Sequence, residues 1–373
     1  MKSKIICICA AALTLFSCGQ KTSKTDTLKA ALADKFLIGA ALNLDQIYER
    51  DTVGVRVINE QFSAIVPENC MKSMFLQPKQ GRFFWDDADK FVEFGEKNGK
   101  TVTGHCLVWH SQAPAWLFSD ENGNDVSRDT LLARMKNHIT TVVSRYKGRI
   151  KGWDVVNEAI LDNGQWRESK FYTIIGKDFI DSAFVYAHDA DPDAELYYND
   201  YNMAFEGKRK AVINLVESLK NNKLRIDGIG MQGHIGMDYP SIAEFEKSIL
   251  SYSAVGVNVM ITELDLTVLP NPENIAGADV SQSSQYQEKM NPYPNGLPTD
   301  VDVAWTVRYN EFFKLFLKHR DKISRVTLWG VSDADSWRNG WPVAGRTDYP
   351  LLFNRDHKPK EIVRLIIKEA SKK

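Results

Sequence analysis

Trp153-Asp154-Val155-Val156-Asn157-Glu158-Ala159 is a largely apolar, β-branched run that ends in a carboxamide and a carboxylate. Its apolar core does not alternate with polar residues, so it reads as a strand covered on both faces, as in a parallel sheet packed under helices. A second run, Ile261-Thr262-Glu263-Leu264-Asp265-Leu266, again carries a glutamate near its end. Glu263 lies 105 residues beyond Glu158, enough chain for the two to end separate strands of one barrel.

Outward from these runs the chain alternates strand-like and helix-like segments. Strands are expected at 36–42, 63–68, 101–109, 150–157, 194–199, 226–234, 258–264 and 325–331. Amphipathic stretches fall between them at 86–98, 129–146, 178–190, 207–221, 241–255 and 301–319, with a last one at 360–372. The first of these carries Phe91, Val92 and Phe94 on one side and stops at Asn98-Gly99. Eight strands with intervening helices predict an α/β chain folded as a single-domain (β/α)8 TIM barrel. A doubly wound open sheet is the alternative. The 267–299 segment, with Pro270, Pro272, Pro292, Pro294 and Pro298, is too long for an ordinary connection. It follows the seventh strand and is expected to cover part of the barrel's C-terminal face; a disordered insertion is the alternative.

The N-terminus has a different character. Lys2 and Lys4 precede an apolar run over 5–16, a secretory pattern too short to span a membrane. Leu15-Phe16-Ser17-Cys18-Gly19 resembles a bacterial lipobox, in which Cys18 becomes the lipidated first residue of the mature chain. The expected layout is a lipoprotein signal peptide over 1–17, a tether over 18–30 and the barrel over 31–373. Such a chain is exported and held at the bacterial cell envelope by its lipid, without a spanning helix. An ordinary signal peptide is the other reading.

Composition narrows the rest. Of 373 residues, 43% are hydrophobic and 25% charged, which suits a soluble domain with a large core. A net charge of −1 argues against a nucleic-acid partner. Cys70 and Cys106 are the only cysteines beyond the signal peptide and the lipidation site, and are expected to be free thiols. No metal-ligand spacing occurs, so no metal and no cofactor are expected. Gly228-Ile229-Gly230-Met231-Gln232-Gly233 matches a dinucleotide-binding pattern literally, but it falls inside a predicted strand rather than at a turn opening a helix. It is read as a crowded piece of barrel wall.

Barrel enzymes build their sites at the C-terminal ends of the strands. Polar residues gather at those ends here: Glu68, Asn69 and Lys72 after strand two, His105, Trp109 and His110 in strand three, Asn157 and Glu158 in strand four. Asn199, Asp200, Tyr201 and Asn202 close strand five, Gln232 and His234 strand six, and Glu263 and Asp265 strand seven. Trp329 lies at the end of strand eight, with Trp337 beyond it. A single one of these would be unremarkable, but polar groups repeated at seven strand ends are costly to bury without a purpose. Two carboxyls facing one gap are the minimum equipment for cleaving a glycosidic bond.

Glu68-Asn69-Cys70-Met71-Lys72, Gly104-His105-Cys106-Leu107-Val108-Trp109-His110, Trp153–Glu158 and Ile261–Asp265 together resemble glycoside hydrolase family 10, the endo-1,4-β-xylanases. The resemblance runs from about Phe36 to Ile366. It implies retaining hydrolysis of xylan and xylo-oligosaccharides, with Glu158 as general acid/base and Glu263 as nucleophile. It also implies sugar-binding or site-shaping roles for Glu68, Asn69, Lys72, His105, Trp109, Asn157, Gln232, His234, Trp329 and Trp337, with Tyr201 on the aglycone side. A monomer is expected. Chemistry then requires Glu158 to be protonated and Glu263 ionised. His234 is suited to hold Glu263, and Asp265 to fix the histidine. A glycosidase acting on β-1,4-glucan stays open as an alternative, distinguished by whether the site has room for a C6 hydroxymethyl group. A non-catalytic carbohydrate-binding barrel is the other, disfavoured because both glutamates are present.

Overall fold

The computed structural model describes residues 26–272, 278–280 and 282–372. The leader and the lipidation residue Cys18 lie outside these residues. The apolar runs form strands β1 (Leu37–Leu42), β2 (Ala64–Pro67), β3 (Thr101–Trp109), β4 (Gly152–Asn157), β5 (Glu195–Asp200), β6 (Gly228–Met231), β7 (His234–Gly236), β8 (Asn258–Thr267) and β9 (Ile323–Leu328). All pairings among them are parallel. β1 joins β2 on one side and β9 on the other, while β8 joins β9 and β6. The sheet therefore closes on itself, which removes the open-sheet alternative.

Closure explains the unbroken apolar strands. β4 is buried at every position and β8 at every position but its first, because the barrel interior covers one face and the helical layer the other. The helices Asp86–Lys97, Arg128–Arg145, Phe179–Ala190, Glu206–Asn221, Ile242–Ala254, Thr299–Lys318 and Glu361–Ala370 fall where their apolar spacing placed them. Several begin at a side-chain cap: Ser127 accepts from the Thr130 N–H and Ser241 from the Glu244 N–H. Helix Thr52–Gln61 lacked a clear signal in the sequence, since Val53, Val55, Val57 and Ile58 favour strand; the Asp51 cap on Gly54 N–H starts it.

Two boundaries differ from expectation. Leu28, Lys29 and Ala30, assigned by sequence to the tether, join Ala31 in a short helix whose Leu28 is fully buried in the core and donates its N–H to Gln61 Oε1. The run 226–234 is not one strand. Gly233 takes φ +80°, a left-handed conformation suited to glycine, and separates β6 from β7. That break turns Gln232 and His234 towards the barrel mouth. Gly230 is needed for room, because a Cβ there would lie 2.2 Å from Asn199 Oδ1. Gly228 and Gly230 thus serve packing, as read, whereas Gly233 serves the turn.

The strand ladders slip at four places: between His105 and Val108, between Asp154 and Val156, between Val259 and Met260, and between Ile261 and Leu264. All but the slip at Val259 lie at or beyond the middle of their strands, towards the end where re-aimed side chains converge on one opening. Cys70 and Cys106 are both free and buried.

Candidate active site

A cleft of about 380 Å³ opens at the C-terminal ends of the strands. Glu68, Asn69, Lys72, His105, Trp109, Asn157, Glu158, Gln232, His234, Glu263, Trp329 and Trp337 all line it. Tyr201 does not. Ala278 and Trp341 pack over its ring, and its hydroxyl instead accepts from Arg167 Nη2 at 2.6 Å.

The carboxyl of Glu158 is held from two sides. Trp109 Nε1 donates to Oε2 at 2.8 Å and Gln232 Nε2 to Oε1 at 2.9 Å. The residue itself sits at φ +58°, a region a non-glycine side chain occupies at a cost of about 1–3 kcal/mol. The surrounding peptide groups fix it there: its N–H donates to the Asn199 carbonyl at 2.9 Å, and the next N–H, of Ala159, to Tyr198 Oη at 3.1 Å. Burial, and then the negative charge of Asp200, push the Glu158 carboxyl up to about 7 against the opposing pull of its two donors.

Glu263 is buried to a similar degree but has different company. Asn199 Nδ2 donates to Oε1 at 2.7 Å, and His234 Nε2 lies 3.2 Å from Oε2. Burial pushes this carboxyl up as well, but the His234 hydrogen bond, the neighbouring imidazole charge and the Asn199 bond bring it below the ordinary glutamate value. His234 in turn bonds Asp265 Oδ2 through Nδ1 at 2.9 Å. Burial lowers the imidazole; the Asp265 carboxylate and the two hydrogen bonds outweigh it and raise the ring to about 9. At neutral pH both ring nitrogens therefore donate. Asp265 is also bonded by Arg338 Nε at 2.7 Å and Trp337 Nε1 at 2.8 Å. Arg338, Asp265, His234 and Glu263 form a buried chain of alternating charge, which lets each ion stay charged away from water.

Asn199 ties the two carboxyls together. Its carbonyl holds the Glu158 peptide and its amide holds Glu263. The Asn157 amide stays bonded to it in either orientation: its oxygen accepts from Asn199 Nδ2 at 3.0 Å, or, turned over, its nitrogen donates to the Asn199 carbonyl at 3.1 Å. Asn199 was visible at the end of a predicted strand, but its spacing gave it no separate role.

The far end of the cleft is organised around Lys72. Its ammonium donates to Asn69 Oδ1 and Gln112 Oε1, both at 2.9 Å, and stands 4.9 Å from the Trp109 ring centroid. Burial lowers this lysine from its ordinary value, with nearby carboxylates pulling the other way. Burial likewise raises Glu68. His105 Nδ1 lies 2.8 Å from Asp154 Oδ2, and its ring meets Trp329 edge-on at 5.3 Å. Trp337 stacks on Trp341 with centroids 4.7 Å apart and planes within 12°.

Several lining residues were not read from the sequence: Ser111, Gln112, Ala278, Val280 and Trp341. Gln112 follows Trp109-His110-Ser111, so its closeness to a marked motif was the available signal. Ala278 and Val280 come from the long 267–299 segment, so that segment does contribute a wall of the cleft.

Comparison with known proteins agrees with this geometry. The model of glycosyl hydrolase family 10 matches residues 27–369. An endo-1,4-β-xylanase A from Xylanibacter ruminicola is 52% identical over 342 residues, 92% of this chain and 93% of the relative. An endo-1,4-β-xylanase from Geobacillus stearothermophilus is 40% identical over 340 residues, 91% and 97% of the two chains. Among solved structures, an endoxylanase of the same family retrieved from a sugarcane soil metagenome aligns with a TM-score of 0.87 at 44% identity, covering 91% of this chain and 99% of that one.

Proposed function

The chain belongs to glycosyl hydrolase family 10, and on that footing we propose that Glu158 is its general acid/base and Glu263 its nucleophile. The activity is that of an endo-1,4-β-xylanase, which hydrolyses internal linkages of xylan with retention at the anomeric carbon. One observation carries the assignment: two buried carboxyls line one cleft, one raised to about 7 and the other lowered.

The steps follow from those states. Ionised Glu263 attacks the anomeric carbon while Glu158 gives its proton to the leaving oxygen, so the C–O bond breaks as the ester to Glu263 forms. Glu158, now a carboxylate, takes a proton from water. The hydroxide equivalent adds to the anomeric carbon and Glu263 leaves, restoring both residues. His234 holds Glu263 in its attacking orientation. Asn157 is suited to bond the 2-hydroxyl of the sugar being cleaved, a contact that strengthens towards the transition state. Lys72, Glu68 and Asn69 supply polar groups for the sugar on the non-reducing side, and Gln232 and Trp109 orient the acid. On this reading Trp329 and Trp337, which both line the cleft, take up the room that a glucose unit would need for its C6 group, which favours the pentose polymer. The proposed working unit is the monomer, since a single barrel carries both carboxyls and the sugar-binding residues around them.

The purified mature chain and Glu263→Ala should be incubated with xylan, carboxymethylcellulose and mannan and the soluble products chromatographed. Short xylo-oligosaccharides from xylan alone, absent with the variant, are expected. Release from carboxymethylcellulose at a similar rate would move the specificity to glucan, and equal release by the variant would remove Glu263 from the mechanism.

The same proposal places the protein outside the cytoplasm. Lys2, Lys4 and the apolar 5–16 run support export, and Cys18 supports lipid anchoring at the cell envelope. Mass spectrometry of the N-terminal peptide should find a diacylglyceryl group on Cys18. Cys18→Ser should move the enzyme from the membrane to the soluble fraction, and an unmodified Cys18 or unchanged partition would contradict the anchor.

A further inference from the structure

The general acid is held by a group that its family motif does not contain. Arg167 lies on the strand-like return after β4, where Ile160 and Trp166 bridge antiparallel. Its side chain and that of Asp279 are only 12% and 8% exposed. The guanidinium serves three acceptors from three parts of the chain. Nε donates to the carbonyl of Glu158 at 3.0 Å, Nη2 to Tyr201 Oη at 2.6 Å and Nη1 to Asp279 Oδ2 at 3.0 Å.

The first acceptor is the peptide of the general acid itself. Glu158 stands at φ +58°, and its N–H and the following N–H are tied to Asn199 and Tyr198. Those two bonds fix the peptides from the donor side. The Arg167 bond fixes the one remaining polar group of the residue's backbone, its carbonyl. The other two acceptors are the end of β5 and the 267–299 segment, whose Ala278 and Val280 line the cleft on either side of Asp279 in sequence. A planar fork with its donors in fixed directions is suited to hold three acceptors in one arrangement, which a lysine cannot do.

We propose that Arg167 is a positioning residue for general-acid catalysis, clamping the Glu158 peptide to Tyr201 and to Asp279 so that the Glu158 carboxyl stands at the leaving oxygen. Its action goes through Glu158, and so the proposal rests on the acid assignment made above. Asp279 balances the Arg167 charge and anchors the clamp on the loop that forms the cleft wall.

The test separates proton delivery from everything else the enzyme does. Two aryl β-xylobiosides are used, one with an activated leaving group that departs as a stable anion and one with a poor leaving group that needs the proton. kcat/KM reports the step in which that group leaves. Arg167→Ala is expected to lose about 10²-fold on the poor leaving group while staying within about threefold on the activated one. Arg167→Lys keeps the charge without the three-way fork and should lose about tenfold with the same split. Asp279→Asn keeps an acceptor but loses the charge, and a loss of about threefold confined to the poor leaving group is expected. Activity on the activated substrate shows at once that each variant is folded with a working nucleophile. Equal losses on both substrates, or no loss on either, would overturn the clamp. Glu158→Ala is measured alongside. If it fails to show the split, the acid assignment falls; if it shows the split and both Arg167 variants do not, only the role of Arg167 falls.

Discussion

Glu158 and Glu263 are 3% and 5% exposed, so burial alone would raise both carboxyls. Only Glu158 ends up high. Around Glu263 the fold supplies a cation, His234, which is kept charged by Asp265, itself held ionised by Arg338, and by Glu263. Around Glu158 it supplies neutral donors, Trp109 and Gln232, and a nearby negative charge, Asp200. Arg167 approaches Glu158 too, but it binds the backbone, and Asp279 balances its charge. Two like residues in one cleft are thus divided into a proton donor and a nucleophile by what the strand ends place beside them, not by depth.

Removing one side of the pair should have the largest effect. Glu263→Ala should lower kcat on xylan by about 10⁴-fold or more, since no other group in the cleft is aimed to take its place. Taking away the cation instead of the carboxyl blurs the contrast. With His234→Ala, Glu263 keeps its burial but loses its strongest stabiliser, so its pKa should rise. The acid limb of the kcat/KM profile then moves to higher pH, with a loss of about 10²-fold at the optimum. An acid limb left in place would show that His234 does not set the charge of Glu263.

Trp109→Phe works on the other carboxyl. The indole N–H stabilises ionised Glu158, so its loss should carry the alkaline limb above its expected position near pH 7, with activity down about tenfold. A shift in the opposite direction would contradict the reading. A further effect concerns stability and not rate. Glu158 titrates at about 7 in the folded chain against an ordinary value of 4.5. Between these values the folded state keeps a proton that the unfolded state has released. The contribution of this group is therefore full below 4.5 and declines as pH rises through 7. Glu158→Gln cannot ionise, so it should gain stability relative to the parent from pH 5 to pH 8, on the order of 2–3 kcal/mol. Denaturant unfolding at the two pH values measures this, and a pH-independent difference would contradict it.

What was legible in the sequence follows the same division. Residues carried by strands were readable, because eight apolar runs fix eight strand ends and the polar residues at those ends must meet at one mouth. Glu68, Lys72, His105, Glu158, His234 and Glu263 are of this kind. Groups carried by loops were not. Arg167 and Asp279 are 112 residues apart, and nothing in their local patterns joins them. Gln112 reaches Lys72 only because the chain turns after β3. Tyr201 was placed at the correct strand end, yet its exposure depended on Ala278 and Trp341, which the sequence could not bring over it. The split of the sixth strand was equally hidden, since Gly233 marks either close packing or a left-handed turn until the backbone is seen.

The most direct measurement is covalent trapping of the glycosyl-enzyme. A 2-deoxy-2-fluoro xylobioside with an activated leaving group slows the second step, and peptide mass spectrometry locates the sugar. The account predicts one xylobiosyl adduct on Glu263 in the parent, and the same adduct in Glu158→Ala, whose nucleophile is intact. An adduct on Glu158, or turnover of the parent without any adduct, would contradict the division of roles between the two carboxyls.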